Sequence, residues 1–242
     1  MYLFFLSMAR IAHEEWKVYG NVFDQYTDKL LVKLCSQNHF SKLQSPVSIG
    51  KEANIFTAIT NDNDIIIVKI YRLESCNFNK MYDYIKSDGR FEKLKKQRRK
   101  VIFTWVNREY QNILRARSLG VRVPKPITVK DHVILLEIIG DKSPAPKLKD
   151  VSDEEVVEVY DKIVDDMKKM HKGGLVHGDL SEFNILVHNS TPFIIDFSQG
   201  TTLKDPNYEE YWDRDIKNMV RFFKKSGIKI SEEELKKKIG FE

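Results

Sequence analysis

The chain has 242 residues, 42% of them hydrophobic and 31% charged, and its 40 basic against 35 acidic side chains leave a net charge of +5. That is the balance of a soluble globular protein long enough to bury a sizeable core as one bilobal unit, and its modest positive excess permits an anionic partner without demanding one. Two cysteines far apart, Cys35 and Cys76, argue against a zinc site or a disulfide framework and for a reducing, cytoplasmic compartment. The apolar start at residues 2–6 is far too short to span a bilayer and lacks a signal peptide's basic and cleavage regions, so no membrane association is expected; Met8 competes with Met1 as initiator.

In chain order, Trp16, Val22, Phe23, Tyr26, Leu30, Leu31 and Leu34 recur at near-helical spacing, which predicts two short helices in an extension over residues 1–45 that packs on a small lobe. Residues 47–58 are strand-like at both ends with Gly50 between them. Residues 65–71 form a dense β-branched run and read as a buried strand, with Lys69 inside it. A buried ammonium is costly unless paired or turned to a cleft, although a lysine on an edge strand can snorkel to water.

Residues 102–119 show Phe103, Val106, Tyr110, Ile113 and Leu114 at three- and four-residue steps, an amphipathic helix closed by Gly120. Glu109 borders its inward face; periodicity alone makes it a surface glutamate, whereas a strand lysine upstream makes a Lys69–Glu109 ion pair the better reading. A Pro-x-Pro turn at 124–126 leads to an apolar strand over 132–138, ending at Glu137 and Ile138. The Ser-Pro-Ala-Pro stretch at 143–146 cannot be helical. It divides a β-rich N-terminal lobe, residues 46–140, from a helical C-terminal lobe, residues 141–242, with a nucleotide in the cleft between them.

Beyond it, a capping pattern at 152–155 opens a helix with Val156, Tyr160, Ile163, Met167 and Met170 on one face. Tyr208, Trp212, Ile216, Met219 and Phe223 mark another helix, and Ser231 caps a short last one. The segment between Lys86 and Lys100 is strongly basic and reads either as a solvated loop or as a phosphate-contacting surface for RNA.

The most informative stretch lies between these helices. His177-Gly178-Asp179 and Asn184 give the order His-x-Asp-x-x-x-x-Asn, and the apolar run 193–195 then ends in Asp196. Residues 189–192 read as a turn, so 185–187 and 193–195 form a hairpin whose open end brings Asn184 and Asp196 together. Phosphoryl transfer needs a group to orient the nucleophile, a role for Asp179, and oxygen ligands for Mg²⁺, a role for Asn184 and Asp196. This is a kinase-like phosphotransferase signature.

Three features separate it from an ordinary protein kinase. The nucleotide loop carries only Gly50, Asp196 is followed by Phe197 and Ser198 with no glycine, and no Ala-Pro-Glu sequence follows. We therefore expect an α+β, bilobal protein-kinase-like fold with one long helix in the N-lobe and a reduced helical C-lobe.

With the motifs Ser48-Ile49-Gly50-Lys51-Glu52-Ala53-Asn54, Val68-Lys69-Ile70-Tyr71-Arg72, Asn107-Arg108-Glu109-Tyr110, His177-Gly178-Asp179 through Asn184, and Asp196-Phe197-Ser198-Gln199, the chain resembles the RIO family of atypical serine/threonine kinases. The resemblance runs from about residue 21 to residue 227 and is greatest to the first RIO subfamily, in its compact archaeal form. Gly178 stands where the family often has Ala, and Ile49 where it often has Thr.

The resemblance implies that ATP binds with Mg²⁺, that Ile49 lies over the nucleotide, and that Lys69 contacts its phosphates while Glu109 holds Lys69. It implies that backbone groups near Glu137 and Ile138 bind adenine, that Asp179 is the catalytic aspartate, and that Asn184 and Asp196 hold Mg²⁺. It also implies ATPase activity through a phosphoaspartate, here on Asp196, and work on the pre-small ribosomal subunit, with rRNA meeting the basic loop between Lys93 and Lys100. Asp215 is expected either to brace the catalytic loop or to face solvent. Competing readings are a small-molecule kinase of the aminoglycoside or choline type and a non-catalytic RNA-binding assembly factor.

Overall fold

The structure is a computed structural model that describes residues 23–91 and 94–241. Trp16, Val22 and Lys93 lie outside the described residues, as do both candidate initiators. Helix α1 (Gln25–Ser36) is capped by Asp24, whose carboxylate accepts the Thr27 N–H. The antiparallel sheet follows: β1 (Lys42–Ile49), β2 (Ala53–Ile59) and β3 (Ile65–Tyr71), then β4 (Pro126–Lys130) and β5 (Val133–Glu137) after two helices, in the order β1-β2-β3-β5-β4. β1 begins at Lys42, inside the stretch assigned to the helical extension. It is an edge strand, and its register shifts around Pro46, where a missing N–H costs least.

Alternation sorts the sheet into two faces. Ile66, Val68 and Ile70 of β3, with Val133 and Leu135 of β5 and Phe56 of β2, pack under Leu30, Leu31 and Leu34 of α1. Each such side chain contributes about 1.5–3 kcal/mol when fully buried. The opposite face presents Ile67, Lys69 and Tyr71 toward the cleft and the long helix. Both faces are covered, which is why β3 reads as a nearly continuous apolar run.

Helix α2 (Phe78–Ser87) and the long helix α3 (Arg98–Ser118) cover that second face. The inward stripe of α3 is Val101, Ile102, Trp105, Val106, Arg108, Glu109, Asn112, Ile113 and Ala116. Leu114, expected inward, is 39% exposed, while Phe103 and Tyr110 are only partly buried. The reason is that three polar residues share the buried stripe, and counting apolar positions cannot see them.

The helical lobe comprises α4 (Asp153–Lys172), α5 (Tyr208–Lys225) and α6 (Glu232–Ile239), with the strand pair β6 (Leu175–Val176) and β9 (Thr201–Thr202) and the hairpin β7 (Ile185–His188) and β8 (Thr191–Ile194). Ser152 and Ser231 cap α4 and α6, the latter in a full capping box with Glu234. One apolar cluster runs from Ile102 and Ile113 of α3 through Met167 of α4 to Trp212 and Phe223 of α5, so the two lobes share a core. Cys35 and Cys76 are free thiols. Among the described residues no helix is long and apolar enough to cross a membrane.

Candidate active site

β3 delivers Lys69 to the cleft, where the side chain is 8% exposed, and α3 delivers Glu109, 1% exposed. Lys69 Nζ donates to Glu109 Oε1 at 2.7 Å and to Asp196 Oδ1 at 3.0 Å. The hydroxyl of Tyr71, two residues along the same strand face, donates to Glu109 Oε2 at 2.6 Å. Burial works against the Lys69 ammonium, yet the carboxylates of Asp196 and Glu109 outweigh it and hold its pKa well above the lysine range. Lys69 is therefore a fixed cation. Burial pushes the Glu109 carboxyl up, opposed by Lys69 and Tyr71.

The β7–β8 hairpin supplies the other half of the site. Its tip places Asn189 and Ser190 in left-handed backbone (φ 48° and 52°), the geometry a two-residue hairpin turn requires. Register carries from there to the open end, where the Ile195 N–H reaches the Asn184 carbonyl at 2.9 Å and brings Asn184 and Asp196 side by side. The Asn184 side-chain N–H donates to the Asp179 carbonyl at 2.9 Å, joining it to the loop that carries Asp179. Asp196 adopts a left-handed conformation, φ 64° and ψ 65°. Burial raises its pKa, but Lys69 and the Ser198 hydroxyl outweigh that and hold it at about 2. Its side chain is 41% exposed all the same, so solvent reaches the carboxylate.

Asp179 sits between these groups, half-buried. Burial raises its pKa, His177 opposes the rise and Asp196 adds to it. Two nearby carboxyls are thus pushed in opposite directions, the pattern that separates a proton acceptor from a permanently ionised group. The loop that carries Asp179 is held from beneath: Asp215 on α5, 0% exposed, accepts the Gly178 and Leu180 N–H groups at 2.8 Å each. Of the two expectations for Asp215, the structure has the brace. The buried His177 ring donates from Nε2 to the Ile195 carbonyl at 3.0 Å and accepts the Asp179 N–H at 3.3 Å, which fixes its tautomer. Gly178 has φ 78°, and a Cβ there would lie 2.8 Å from the Gln199 carbonyl oxygen, so an alanine at 178 would have to move that turn.

Ile49 lies at the end of β1, 58% exposed, beside the Gly50 turn. Glu137 ends β5; its N–H goes to the Lys125 carbonyl and its carboxylate accepts the Lys125 N–H, both at 2.9 Å, and half-buried Ile138 follows it into the connector. The structure thus brings Lys69, Glu109 and Asp196 into direct contact, links Asp179 with Asn184, and sets Ile49, Glu137 and Ile138 at the strand ends where the two lobes meet.

Sequence reasoning missed four residues. Tyr71 locks Glu109. Gln199 donates to Asp179 Oδ2 at 3.2 Å. Asn112, 0% exposed, bonds the turn after Asp196. Glu52, in the nucleotide loop, has its pKa raised by burial and by Asp196, which puts its carboxyl within the field of the site. Tyr71, Gln199 and Glu52 stand inside the motifs of the resemblance without a role of their own, and Asn112 carried a separate signal, a carboxamide on the apolar stripe of a helix.

The side-chain oxygens of Asn184 and Asp196 at the hairpin's open end are hard donors of the kind Mg²⁺ accepts while keeping water and phosphate ligands. Among the described residues no group of three His, Cys, Asp or Glu could hold a metal by itself. The residues fit a cation shared with a substrate, not one caged by protein.

The model of the RIO domain matches residues 54–236. This chain belongs to the RIO family of serine/threonine protein kinases. It is similar to the RIO-type serine/threonine-protein kinase Rio1 of Haloferax volcanii, 39% identical over 217 residues that cover 88% of this chain and 74% of that one. To Rio1 of Methanocaldococcus jannaschii it is 36% identical, covering 97% and 81%. To the human serine/threonine-protein kinase RIO1 it is 32% identical over 86% of this chain but 38% of that longer protein. Among solved structures, the Rio2 kinase–ADP/Mg²⁺–phosphoaspartate complex of Chaetomium thermophilum matches with a TM-score of 0.69 at 24% identity, covering 89% of this chain and 67% of that one. The expected α+β, bilobal protein-kinase-like fold is thereby met: an antiparallel sheet with one long helix joined to a reduced helical lobe.

Proposed function

We propose that this RIO kinase transfers the γ-phosphoryl group of ATP with Mg²⁺, as a kinase and as an ATPase, and that it acts in maturation of the small ribosomal subunit. The observation that carries the chemistry is the single ammonium of Lys69 bridging Glu109 and Asp196 at 2.7 and 3.0 Å. It sets a fixed positive charge beside the oxygens suited to Mg²⁺, in the cleft between sheet and helical lobe. Phosphoryl transfer depends mostly on such positioning and on charge neutralisation.

Lys69 binds the nucleotide phosphates, with Glu109 and Tyr71 fixing its direction. Ile49 covers the nucleotide, and backbone groups of Glu137 and Ile138 meet adenine. Asn184 and Asp196 would hold Mg²⁺, which when bound would neutralise negative charge on the phosphates. Asp179 accepts the proton of the attacking hydroxyl or water, a role its raised pKa favours.

In the ATPase cycle a carboxylate oxygen of Asp196 attacks the γ-phosphorus, and the bond from phosphorus to the β–γ bridging oxygen breaks. ADP leaves with that electron pair. Water then cleaves the acyl phosphate to inorganic phosphate and the free carboxylate. A carboxyl held at about 2 is ionised and ready for the first step. The Rio2 complex named above is a phosphoaspartate complex, which supports this reading.

The basic segment between Lys93 and Lys100 is the proposed contact with rRNA. It supplies phosphate contacts with little base reading. Arg98 and Arg99 are partly engaged within the protein: Arg98 bonds the Leu73, Glu74 and Cys76 carbonyls, and Arg99 stacks on Tyr26 at 4.9 Å. Lys95 and Lys100 are exposed and form the outer part of the contact.

The test is Mg²⁺-dependent ATP turnover with and without small ribosomal subunits, for wild type and Asp196→Asn, with hydroxylamine-sensitive labelling from γ-labelled ATP. Turnover that subunits stimulate, and a labile label lost with Asp196, support the proposal. Turnover indifferent to subunits removes the ribosomal role, and no turnover favours the non-catalytic RNA-binding assembly factor.

A further inference from the structure

Asn112 lies on α3 one turn beyond Glu109 and is fully buried, although a carboxamide there has four bonds to satisfy. Its Nδ2 donates to the Phe197 carbonyl at 3.1 Å and to the Gly200 carbonyl at 2.6 Å. Those carbonyls bracket the 3₁₀ turn Phe197–Gln199 that leaves Asp196. Its Oδ1 accepts Nη1 of Arg90 at 3.0 Å. Arg90 is itself pinned by Asp88, which takes bonds from Nε at 2.9 Å and from Nη2 at 2.6 Å. Asp88, 0% exposed, also accepts Arg108 Nε at 3.0 Å and the Thr201 hydroxyl at 3.4 Å. Gly200 is held so closely that a Cβ on it would lie 2.9 Å from Asn112 Nδ2.

The relay therefore begins in the segment that leads into the basic run and ends on the backbone beside Asp196. Asp196 is a non-glycine residue in left-handed backbone, a conformation that persists only where its surroundings over-determine it. Lys69 and Ser198 act on the Asp196 side chain. Asn112 acts on the backbone of the turn, adding to the Gly200 N–H that the Phe197 carbonyl accepts at 3.0 Å, and no apolar residue of the same shape supplies its two donors. The Arg90 side chain is 25% exposed, so the outer end of the relay is open to solvent.

We propose that Asn112 is a positioning residue for Asp196 and that Arg90 is its adjustable arm, through which an anionic polymer on the segment 94–100 bears on the metal-binding aspartate. Asn112 touches neither nucleotide nor metal; it acts through the carbonyls of Phe197 and Gly200. This proposal rests on the Mg²⁺-nucleotide reading of the site. A phosphate chain competing for the Arg90 guanidinium would withdraw the donor from Asn112 Oδ1, free the carboxamide to turn, and loosen the Phe197–Gly200 turn.

The experiment uses the full chain as wild type, Asn112→Leu, Arg90→Ala and Arg90→Lys. Leucine keeps the shape of asparagine without its donors, and Arg90→Ala shortens a side chain that is 25% exposed, with Arg108 still paired to Asp88, as the second variant if Asn112→Leu fails to fold. Two readouts are taken: Mn²⁺ binding in the presence of ADP, counted by electron paramagnetic resonance, and steady-state ATP turnover with KM and kcat separated. We expect Mn²⁺ affinity and kcat to fall together, by about 10-fold or more in Asn112→Leu and by about 3-fold in Arg90→Ala, with KM for ATP changed by less than about 2-fold and Arg90→Lys between wild type and alanine. If wild type binds Mn²⁺·ADP and both variants bind and turn over like wild type, the relay is overturned and the site reading stands. Loss of thermal stability with unchanged kcat and Mn²⁺ affinity overturns it equally, since it would mark a packing role alone. If wild type itself fails to bind Mn²⁺·ADP, the site reading falls and the relay falls with it.

Discussion

Lys69 Nζ stands 3.0 Å from Asp196 Oδ1 and 2.7 Å from Glu109 Oε1, so one ammonium ties the sheet, the long helix and the catalytic hairpin together. The contact is both a structural joint and the point from which phosphates would be gripped. On the proposed mechanism, entry of a nucleotide would redistribute it, because the same cation and the same carboxylate would both act on the incoming ligand.

Lys69→Met should cost both stability and activity. Removing the lysine leaves Glu109 buried with an uncompensated charge, a loss of about 3–5 kcal/mol for a buried pair broken on one side. Chemical denaturation should show that drop. Adding Glu109→Gln in the same chain should recover part of it without restoring ATP turnover, because the buried charge is gone but the phosphate contact is still missing.

Asp196→Asn should abolish Mg²⁺-dependent turnover while the protein remains folded, since that side chain is 41% exposed. Its acid titration has a definite sign. The folded pKa of about 2 lies below the ordinary 3.8, so the contribution to stability is present above about pH 4 and is lost as pH falls through 2. Melting temperatures read from pH 5 down to pH 2 should fall less steeply for Asp196→Asn than for wild type.

Asp215 titrates with the opposite sign. Burial raises it to about 6, with His177 and the Gly178 and Leu180 N–H groups opposing. Its stabilising share is therefore full below about pH 4 and is lost as pH rises through 6. Asp215→Asn should flatten the decline in stability between pH 4 and 6. Because one of its two accepted bonds is at risk, it should also lower kcat by about 10-fold through the Asp179 loop, with little change in KM for ATP, which steady-state kinetics would resolve.

The basic segment should divide into two classes of lysine and arginine. Lys95→Ala and Lys100→Ala should each weaken RNA binding and reduce the salt slope by about 1 with no change in melting temperature. Arg98→Ala should lower the melting temperature, because three carbonyls of residues 73–76 lose their donor. Binding isotherms at several salt concentrations, alongside thermal melts, separate the two.

Much of the site was legible because its chemistry is local in sequence. Asp179, Asn184 and Asp196 fall within one loop and one hairpin, and the turn at Asn189 and Ser190 fixes their register. Lys69 stood out as a charge inside an apolar strand, and the covered faces of β3 explain why that run is so apolar. β4 and α2 were missed. The former is a five-residue strand starting at a proline, and the latter carries only Met81 and Ile85 as buried residues, too few to show a period. The inward direction of Leu114 was misjudged because Arg108, Glu109 and Asn112 occupy the buried stripe of α3. Their burial depends on partners from distant segments, at Asp88, Lys69 and Gly200, and no reading of α3 alone contains those partners.

The glycine that ordinarily stands two residues after the metal aspartate in protein kinases is Ser198 here, 8% exposed, while the intervening Phe197 is 0% exposed with its ring 4.7 Å from that of His177. A compound that inhibits by wedging this phenylalanine out of its slot would have to strip a ring from the core, detach Asn112 and swing a turn that has lost its most pliable residue. Selective inhibitors of this enzyme are better aimed at the shape of the cleft as it stands, where Glu52 offers a handle, than at a swung-out form.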